Sequence, residues 1–192
     1  MIEVEKKFKP TKEQLDSLLL DAEFLKEVTL HDVYYDYPDY RMFKKEIRLR
    51  KRNDSFELKI GDDEVEGTAE EVEDEKEIQK YFQIDKPLDT FVQDDLIEII
   101  NYSTNRKKYK KGDFIIDLDR LDFGYECVEI ELQVENDSQV KHAHERIIEL
   151  VKKYNFDLSP VTPKRESYFK IYKSEIHKEL YEKRDEDTGN IK

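Results

Sequence analysis

Tryptophan is absent from this chain of 192 residues, and cysteine occurs once, at Cys127. Any stacking on a ligand ring therefore falls to the twelve tyrosines and ten phenylalanines. A single cysteine excludes a disulfide framework and indicates a reducing compartment. No apolar run approaches the roughly 20 residues that a membrane-spanning helix needs. Charged residues begin at Glu3, which argues against a secretory signal. We expect a cytoplasmic protein that has no membrane partner.

Positive charge is also in short supply. The chain has 34 lysines and arginines against 47 aspartates and glutamates, so its formal net charge is -13. This balance repels nucleic acid and anionic membranes, and neither is an expected partner. A role in binding phosphate would need basic residues concentrated inside a pocket. The hydrophobic content of 37% lies below the usual roughly 45–50%, which leaves a core of modest size.

Alternating apolar and charged residues predict β-strands, because successive side chains of a strand point to opposite faces. Residues 2–8 place Glu3, Glu5 and Lys7 on one face and mostly apolar side chains on the other. Residues 127–134 show the same alternation most clearly. Further strands are predicted at 23–36, 46–52, 55–60, near 68–72, at 96–109 and at 114–119. The short turns between them indicate an antiparallel sheet, and about eight strands suffice to close a barrel.

Helical spacing of apolar residues separates and follows these strands. Helices are predicted at 11–21, near 78–84, at 88–95, at 137–154 and at 167–184. Thr11 and Gln14 are spaced as a capping box at the start of the first helix. We expect an α+β fold, an eight-stranded antiparallel β-barrel with helices packed outside, as a single domain over residues 1–184. Residues 185–192 are predicted to be a disordered tail, and the protein a monomer or weak dimer.

The amphipathic helices must bury their apolar sides, and the apolar strand faces are where they can do so. The charged strand faces are therefore predicted to point inward. They carry Glu3, Glu5, Lys7, Arg48, Arg50, Arg52, Glu57, Lys59, Asp117, Asp119, Glu129 and Glu131. Unpaired buried ions cost several kcal/mol each, a penalty that a wet, ligand-filled lumen largely removes. Carboxylates suit Mg²⁺ or Mn²⁺, and arginine and lysine suit phosphate, a combination typical of metal-assisted phosphoryl transfer. The alternative is a lattice of mutually neutralising salt bridges on an open sheet.

The stretch Glu3-Val-Glu-Lys-Lys7 resembles the E-x-E-x-K signature of the CYTH superfamily, the triphosphate tunnel metalloenzymes. Arg48-Leu-Arg50 and Glu57-Leu-Lys59 resemble the R-x-R and E-x-K strands of that superfamily. The resemblance covers roughly residues 1–172 and is greatest to its thiamine triphosphatase branch. Other matching positions follow in the family order: Arg106, Asp117, Glu129, Glu131 and Lys164. The resemblance implies a small-molecule triphosphate substrate whose terminal phosphate is hydrolysed with Mg²⁺ or Mn²⁺.

The resemblance also implies roles for single residues. The expected metal ligands are Glu3, Glu5, Asp117, Glu129 and Glu131, of which at least one is expected to orient a neighbour instead. The expected phosphate ligands are Lys7, Arg48, Arg50, Lys59, Arg106 and Lys164. The expected catalytic residues are Glu3, Glu5, Lys7 and Tyr34, the last resembling a family tyrosine with an acid–base or metal-site role. Asp119 and Arg52 share the inward parity but are expected beyond the mouth of the tunnel.

The organic part of the substrate has several candidates. Animal thiamine triphosphatases place a tryptophan just before the R-x-R strand, where this chain has Glu46. Inorganic triphosphate is therefore an alternative substrate, and a class IV adenylate cyclase is an alternative reaction on the same fold. A non-catalytic polyphosphate-binding module is the third alternative. The five carboxylates favour an enzyme, because a pure phosphate binder needs the cations but has little use for the acids.

Overall fold

The computed structural model describes residues 2–61 and 70–182. The tail predicted at 185–192 and the predicted helix end at 183–184 lie outside the described residues. Within the described ranges the strands are β1 (Ile2–Phe8), β2 (Glu23–Asp36), β3 (Ile47–Arg52), β4 (Ser55–Ile60), β5 (Glu70–Val72), β6 (Ile97–Lys111), β7 (Phe114–Leu121) and β8 (Glu126–Val134). The helices are α1 (Lys12–Leu19), α2 (Glu75–Phe82), α3 (Leu88–Asp95), α4 (Val140–Lys152), α5 (Lys164–Tyr172) and α6 (Ser174–His177).

The eight strands form one sheet in the order β1-β8-β7-β6-β2-β3-β4-β5, and each neighbouring pair is antiparallel. The sheet curls into a nearly closed barrel, which confirms the predicted fold class. The seam lies between β1 and β5, whose facing edges share no ladder in the described part of the chain. Side chains from both of these strands nevertheless line the same internal cavity.

The helices pack on the apolar faces of the strands, as the alternation of apolar and charged residues predicts. Val4 and Phe8 of β1 and Ile130 of β8 are buried in one cluster with Ile147 and Val151 of α4. Burying a side chain of this size contributes about 1.5–3 kcal/mol. Because a shift of one residue would move every such side chain to the other face, this packing holds β1 and β8 in the register that turns their charged residues inward.

The remaining helices cover the other strands in the same way. Ile78 of α2 and Leu88 and Phe91 of α3 pack on Leu49 of β3 and Leu58 of β4. The predicted capping box of α1 is present: the Thr11 backbone N–H donates to Gln14 Oε1 at 2.8 Å, and the Gln14 N–H donates to Thr11 Oγ1 at 3.3 Å. None of the described helices is both long and apolar enough to cross a membrane.

The prediction of a single helix at 167–184 is wrong in two respects: the helix begins earlier, and it is interrupted. Helix α5 begins earlier, at Lys164 directly after Pro163, whose fixed φ suits the residue preceding a helix. Lys173, with φ -141° and ψ 58°, separates α5 from α6, and a π-helical turn, Lys178–Glu182, follows. The four-residue spacing from Tyr168 to Leu180 continues across this interruption, so apolar periodicity does not reveal one non-helical residue.

A charged cavity as the candidate active site

A cavity of about 260 Å³ lies inside the barrel. Its lining includes every residue that the sequence assigns to the site except Asp117: Glu3, Glu5, Lys7, Tyr34, Arg48, Arg50, Lys59, Arg106, Glu129, Glu131 and Lys164. Asp117 is fully buried in the wall and reaches the site through its contacts with Arg106 and Lys108. The charged strand faces therefore point inward, and an open sheet with a surface salt-bridge lattice is excluded as the alternative.

One acidic group in the cavity is only partly neutralised by the protein: Glu5 contacts Lys7, whereas Glu3 forms no ion pair with a described residue. Glu3, Glu5 and Glu131 each offer an oxygen within 4.8 Å of the others. Cross-strand pairing of Glu5 with Glu131 brings them together. Burial, followed by the charges of Glu3 and Asp117, raises the pKa of Glu131 to about 8. Burial and Glu5 also raise the pKa of Glu3. Three converging carboxylates are a fitting set of ligands for a hard divalent cation.

A second acidic group shares Glu131 with the first, and its other two members are paired with lysine and arginine side chains of the protein. Asp117, Glu129 and Glu131 also offer oxygens within 4.8 Å of one another. Asp117 Oδ2 lies 2.7 Å from Arg106 Nη1 and 2.8 Å from Lys108 Nζ. Burial by itself would raise the pKa of Glu129. The pKa nevertheless lies well below its usual range, because the positive charges of Lys164, Lys7 and Arg106 stabilise the ionised form. Asp117 Oδ1 is buried and accepts no hydrogen bond from the described residues.

Arg106 links these acids to the adjoining strand. It donates to both oxygens of Asp119 from Nε and Nη2, at 2.7 and 2.6 Å, and from Nη2 to Glu129 at 2.6 Å. Lys164, at the first turn of α5, contacts Asp119 and lies 2.7 Å from Glu129 Oε1. The expectation that Asp119 lies beyond the tunnel mouth is wrong. Strand β7 continues to Leu121 with Asp119 opposite Arg106, which keeps Asp119 inside the wall.

The opposite wall is basic and is organised around Arg50. Arg50 donates from Nε to Glu57 Oε2 at 2.7 Å and from Nη1 to the Tyr34 hydroxyl at 3.1 Å. Arg52 forms a two-pronged pair with Asp32, at 2.7 and 3.0 Å, and lines the cavity instead of lying beyond it. Burial alone would raise the pKa of Tyr34, but the neighbouring Arg50 lowers it. The Tyr34 hydroxyl is thereby suited to hold or release a proton.

Several cavity residues escape the sequence-based assignment. Lys108 has the parity of Arg106, but the predicted strand ends near it, whereas β6 runs on to Lys111. Asp32 lies two residues before Tyr34 and therefore faces the same side of β2. It is not assigned from the sequence because it belongs to no motif of the family. Tyr102 is hydrogen-bonded to Tyr34 and is equally buried in the lining. Counting every second residue along the full length of β2 and β6 would have placed Asp32, Tyr102 and Lys108 on the cavity face.

Cys127 lies close to Asp119 and Glu129, each offering an atom within 4.8 Å of the others, but its thiol is not suited to nucleophilic attack. Burial, chiefly, raises the pKa of the Cys127 thiol to about 12, which makes it a poor nucleophile. His177 stacks on Tyr181, and the described metal-ligand groupings contain no histidine.

The fold and the site together define a class of protein: a nearly closed antiparallel barrel that encloses facing sets of carboxylates and cations. Residues 1–159 match the CYTH domain, and the chain belongs to the CYTH family. It is 31% identical over 176 aligned positions to human thiamine-triphosphatase, with coverage of 77% of this chain and 74% of the human protein. The family is metal-dependent, and the acidic groups described above can hold a metal ion.

Solved structures show the same fold at lower identity. A candidate adenylate cyclase from Vibrio parahaemolyticus superposes with a TM-score of 0.62 at 17% identity, covering 86% of this chain and 97% of the other. A candidate adenylyl cyclase from Hippeastrum, described as having a dominant triphosphatase activity, has a TM-score of 0.54 at 15% identity, covering 91% of this chain and 95% of the other. At these identities the likeness concerns the fold alone.

Proposed function

We propose that this protein is a metal-dependent triphosphatase that hydrolyses the terminal phosphate of thiamine triphosphate or a related triphosphate. One observation carries the proposal. A single cavity places three converging carboxylates, of which only Glu5 closely contacts a lysine among the described residues, beside a wall of arginines and lysines. Membership of the CYTH family and the identity to human thiamine-triphosphatase support the same reading. A non-catalytic phosphate binder is less consistent with the site, because converging acids would weaken anion binding without a metal.

Glu3, Glu5 and Glu131 are the proposed metal ligands, with Asp117 and Glu129 completing the acidic wall. A bound Mg²⁺ or Mn²⁺ supplies charge neutralisation for the phosphate chain. Glu3 makes no ion pair with a described residue, and Glu131 has only Lys108 at 3.5 Å. These two carboxylates are therefore the ones that gain most from a cation. Asp117 and Glu129 already have protein cations at hydrogen-bonding distance, and their proposed contribution is to orient Arg106, Lys108 and Lys164.

The cations hold the phosphate chain and stabilise the charge that develops on it. Lys7, Arg48, Arg50, Lys59, Arg106 and Lys164 are the proposed phosphate ligands. Water attacks the terminal phosphorus, the bond to the bridging oxygen breaks, and orthophosphate and a diphosphate leave. The pKa of Tyr34 is lowered and its hydroxyl accepts a hydrogen bond from Arg50, so we assign it the exchange of a proton at Oη during this step.

The cavity favours recognition of phosphates over recognition of an organic group. Its described lining contains one aliphatic side chain, Leu30, and two tyrosines whose rings are buried, Tyr34 and Tyr102. Glu46 holds a left-handed backbone conformation just before β3, and its carboxylate lies 3.7 Å from Arg48. A carboxylate at this position offers no stacking surface for a ring. Inorganic triphosphate is therefore a strong second candidate substrate.

A substrate panel tests this proposal. We expect kcat/KM for inorganic triphosphate, thiamine triphosphate and ATP to lie within about a thousandfold of one another, equivalent to roughly 4 kcal/mol. The assay should measure orthophosphate, pyrophosphate and cyclic AMP in parallel. A larger preference for thiamine triphosphate would reveal a dedicated ring pocket, and cyclic AMP with pyrophosphate would identify a cyclase. Binding of all three without turnover would indicate the non-catalytic module.

Turnover should depend on a divalent metal, because the three acids repel both one another and the substrate when no cation is present. Adding excess EDTA is expected to lower the rate by about tenfold or more, and Mg²⁺ or Mn²⁺ to restore it. The rate of orthophosphate release, measured across a metal titration, checks this expectation. Full activity in excess EDTA would contradict the assignment of the carboxylates.

A further inference from the structure

A carboxylate on the edge of the barrel already bridges two of the proposed phosphate ligands. Glu71 lies on β5, a three-residue strand that pairs only with β4 among the described residues. Glu71 Oε1 lies 3.4 Å from Lys59 Nζ and 3.5 Å from Arg50 Nη2. One oxygen thus approaches two cations that project from neighbouring strands, which is the position that a phosphate oxygen between them would take.

The contacts of Glu71 are weak ones. Charge-assisted hydrogen bonds are typically about 2.7–2.9 Å long, and both Glu71 distances exceed this range. Its side chain is 32% exposed, so water and salt screen the pairing. Arg50 has a closer partner in Glu57, which is almost buried and bonds its Nε at 2.7 Å. Glu57 therefore holds the guanidinium in place, and Glu71 can leave without disturbing the wall.

We propose that Glu71 is a residue that tunes phosphate affinity by competing with substrate phosphate for Arg50 and Lys59. This inference rests on the proposed function, in which those two side chains bind the phosphate chain. An incoming phosphate displaces the Glu71 carboxylate toward solvent, for which the partly exposed edge position leaves room. When the substrate has been cleaved and leaves, the carboxylate returns to the same two cations.

This competition lowers the affinity of the cavity for phosphate chains. Displacing Glu71 costs a fixed free energy, whatever anion replaces it. A triphosphate can offset that cost with contacts to several cations at once, whereas orthophosphate and diphosphate make fewer of them. If the carboxylate occupies its place about nine-tenths of the time, the apparent affinity of every anion that needs the place falls about tenfold. Glu71 therefore weakens the binding of substrate and of product by a similar factor wherever both need this place.

The test compares Glu71→Gln with Glu70→Gln. Glutamine keeps the shape of the side chain and removes its charge. Glu70 is exposed, lies on the same strand and is absent from the cavity lining. With inorganic triphosphate and saturating Mg²⁺, we expect Glu71→Gln to lower KM by about threefold to tenfold, and to lower the inhibition constants of orthophosphate and pyrophosphate at least as much. The differences should shrink as NaCl is raised, because the competition is electrostatic.

Two results would overturn the inference. If KM and the inhibition constants of Glu71→Gln equal those of Glu70→Gln, Glu71 does not compete. If Glu71→Gln instead raises KM together with the Mg²⁺ concentration needed for half-maximal rate, Glu71 contributes to the metal site. Calorimetric titration with inorganic triphosphate separates this inference from the proposed function. An unmodified protein that fails to turn over would refute the function, whereas tighter binding by Glu71→Gln would still support the competition.

Discussion

Replacing Arg50 with alanine is expected to lower kcat/KM for triphosphate by about 30-fold to 1,000-fold, which corresponds to roughly 2–4 kcal/mol of transition-state stabilisation. Arg50 is buried, lines the cavity and is aligned by Glu57 and the Tyr34 hydroxyl. Its rigid, buried guanidinium can form paired hydrogen bonds with a phosphate. The measurement is steady-state kinetics on triphosphate at saturating metal.

Lys51→Ala is the matched control, because composition and net charge predict the same effect for both substitutions. Lys51 points outward and lies 2.5 Å from Asp89, an exposed residue on α3. A surface ion pair of this kind contributes about 0–1 kcal/mol to stability and should leave catalysis within about threefold of the parent. Equal losses in the two variants would contradict the inward register of β3.

Loss of the Arg50 side chain also leaves Glu57 and Tyr34 without their shared partner, so folding must be measured alongside activity. Arg50→Lys keeps the positive charge but cannot form the paired bonds. It should fold like the parent and lie between the parent and the alanine variant in kcat/KM. If circular dichroism shows that Arg50→Ala is unfolded, the lysine variant alone decides the question: full activity there would refute the role of Arg50.

Glu131→Gln is expected to lower kcat by more than about 100-fold while the fold is retained. Substitutions that merely support a metal ligand cost about 10–100-fold, and a direct ligand should cost more. Glu131 is buried beside Glu3 and Asp117, so replacing it with a neutral side chain removes repulsion and should not destabilise the barrel. Binding of Mg²⁺ or Mn²⁺, measured by the shift in Tm on adding metal, should weaken in parallel.

Glu126→Gln is the corresponding control. Glu126 begins the same strand but is exposed and pairs with Arg120 at 2.6 Å. It should leave both kcat and the metal-dependent shift in Tm unchanged. A Glu131→Gln variant whose turnover stays within a few-fold of the parent would show that Glu131 is not a metal ligand. Loss of activity with an undiminished metal shift would assign Glu131 to substrate contact instead.

The strands were the most predictable part of the molecule. Each has one apolar and one charged face, so a shift of the pairing by one residue would bury charges among apolar side chains. In β1 and β8 the alternation alone identifies which residues face the cavity. The pairing of Glu5 with Glu131 follows only from the strand order, which closes the sheet by placing the first strand beside the last. No local pattern contains that information.

Other features depend on three-dimensional contacts that sequence patterns do not show. Sequence places Asp117 and Glu129 among the metal ligands on equal terms with Glu131. The structure distinguishes them by their cationic partners. Arg106, Lys108 and Lys164 lie 2.6–2.8 Å from Asp117 or Glu129, whereas the nearest of these cations to Glu131 is Lys108, at 3.5 Å. The interruption at Lys173 is likewise invisible to periodicity. Which acid is neutralised, and where a helix breaks, are decided by neighbours distant in the chain.

The pairing of β1 with β8 has a consequence for the order in which the molecule assembles. Glu5 and Glu131 stand over a hundred positions apart, so the acidic cluster cannot exist until nearly the whole chain has collapsed around its hairpins. Long-range pairings of this kind form slowly, and until then the apolar face of β1 stays accessible to aggregation. Free energy gained from metal binding is gained only by the closed state. A divalent cation bound by Glu3, Glu5 and Glu131, as proposed above, would favour the pairing of β1 with β8, and chelation is then expected to loosen β1 before any other strand.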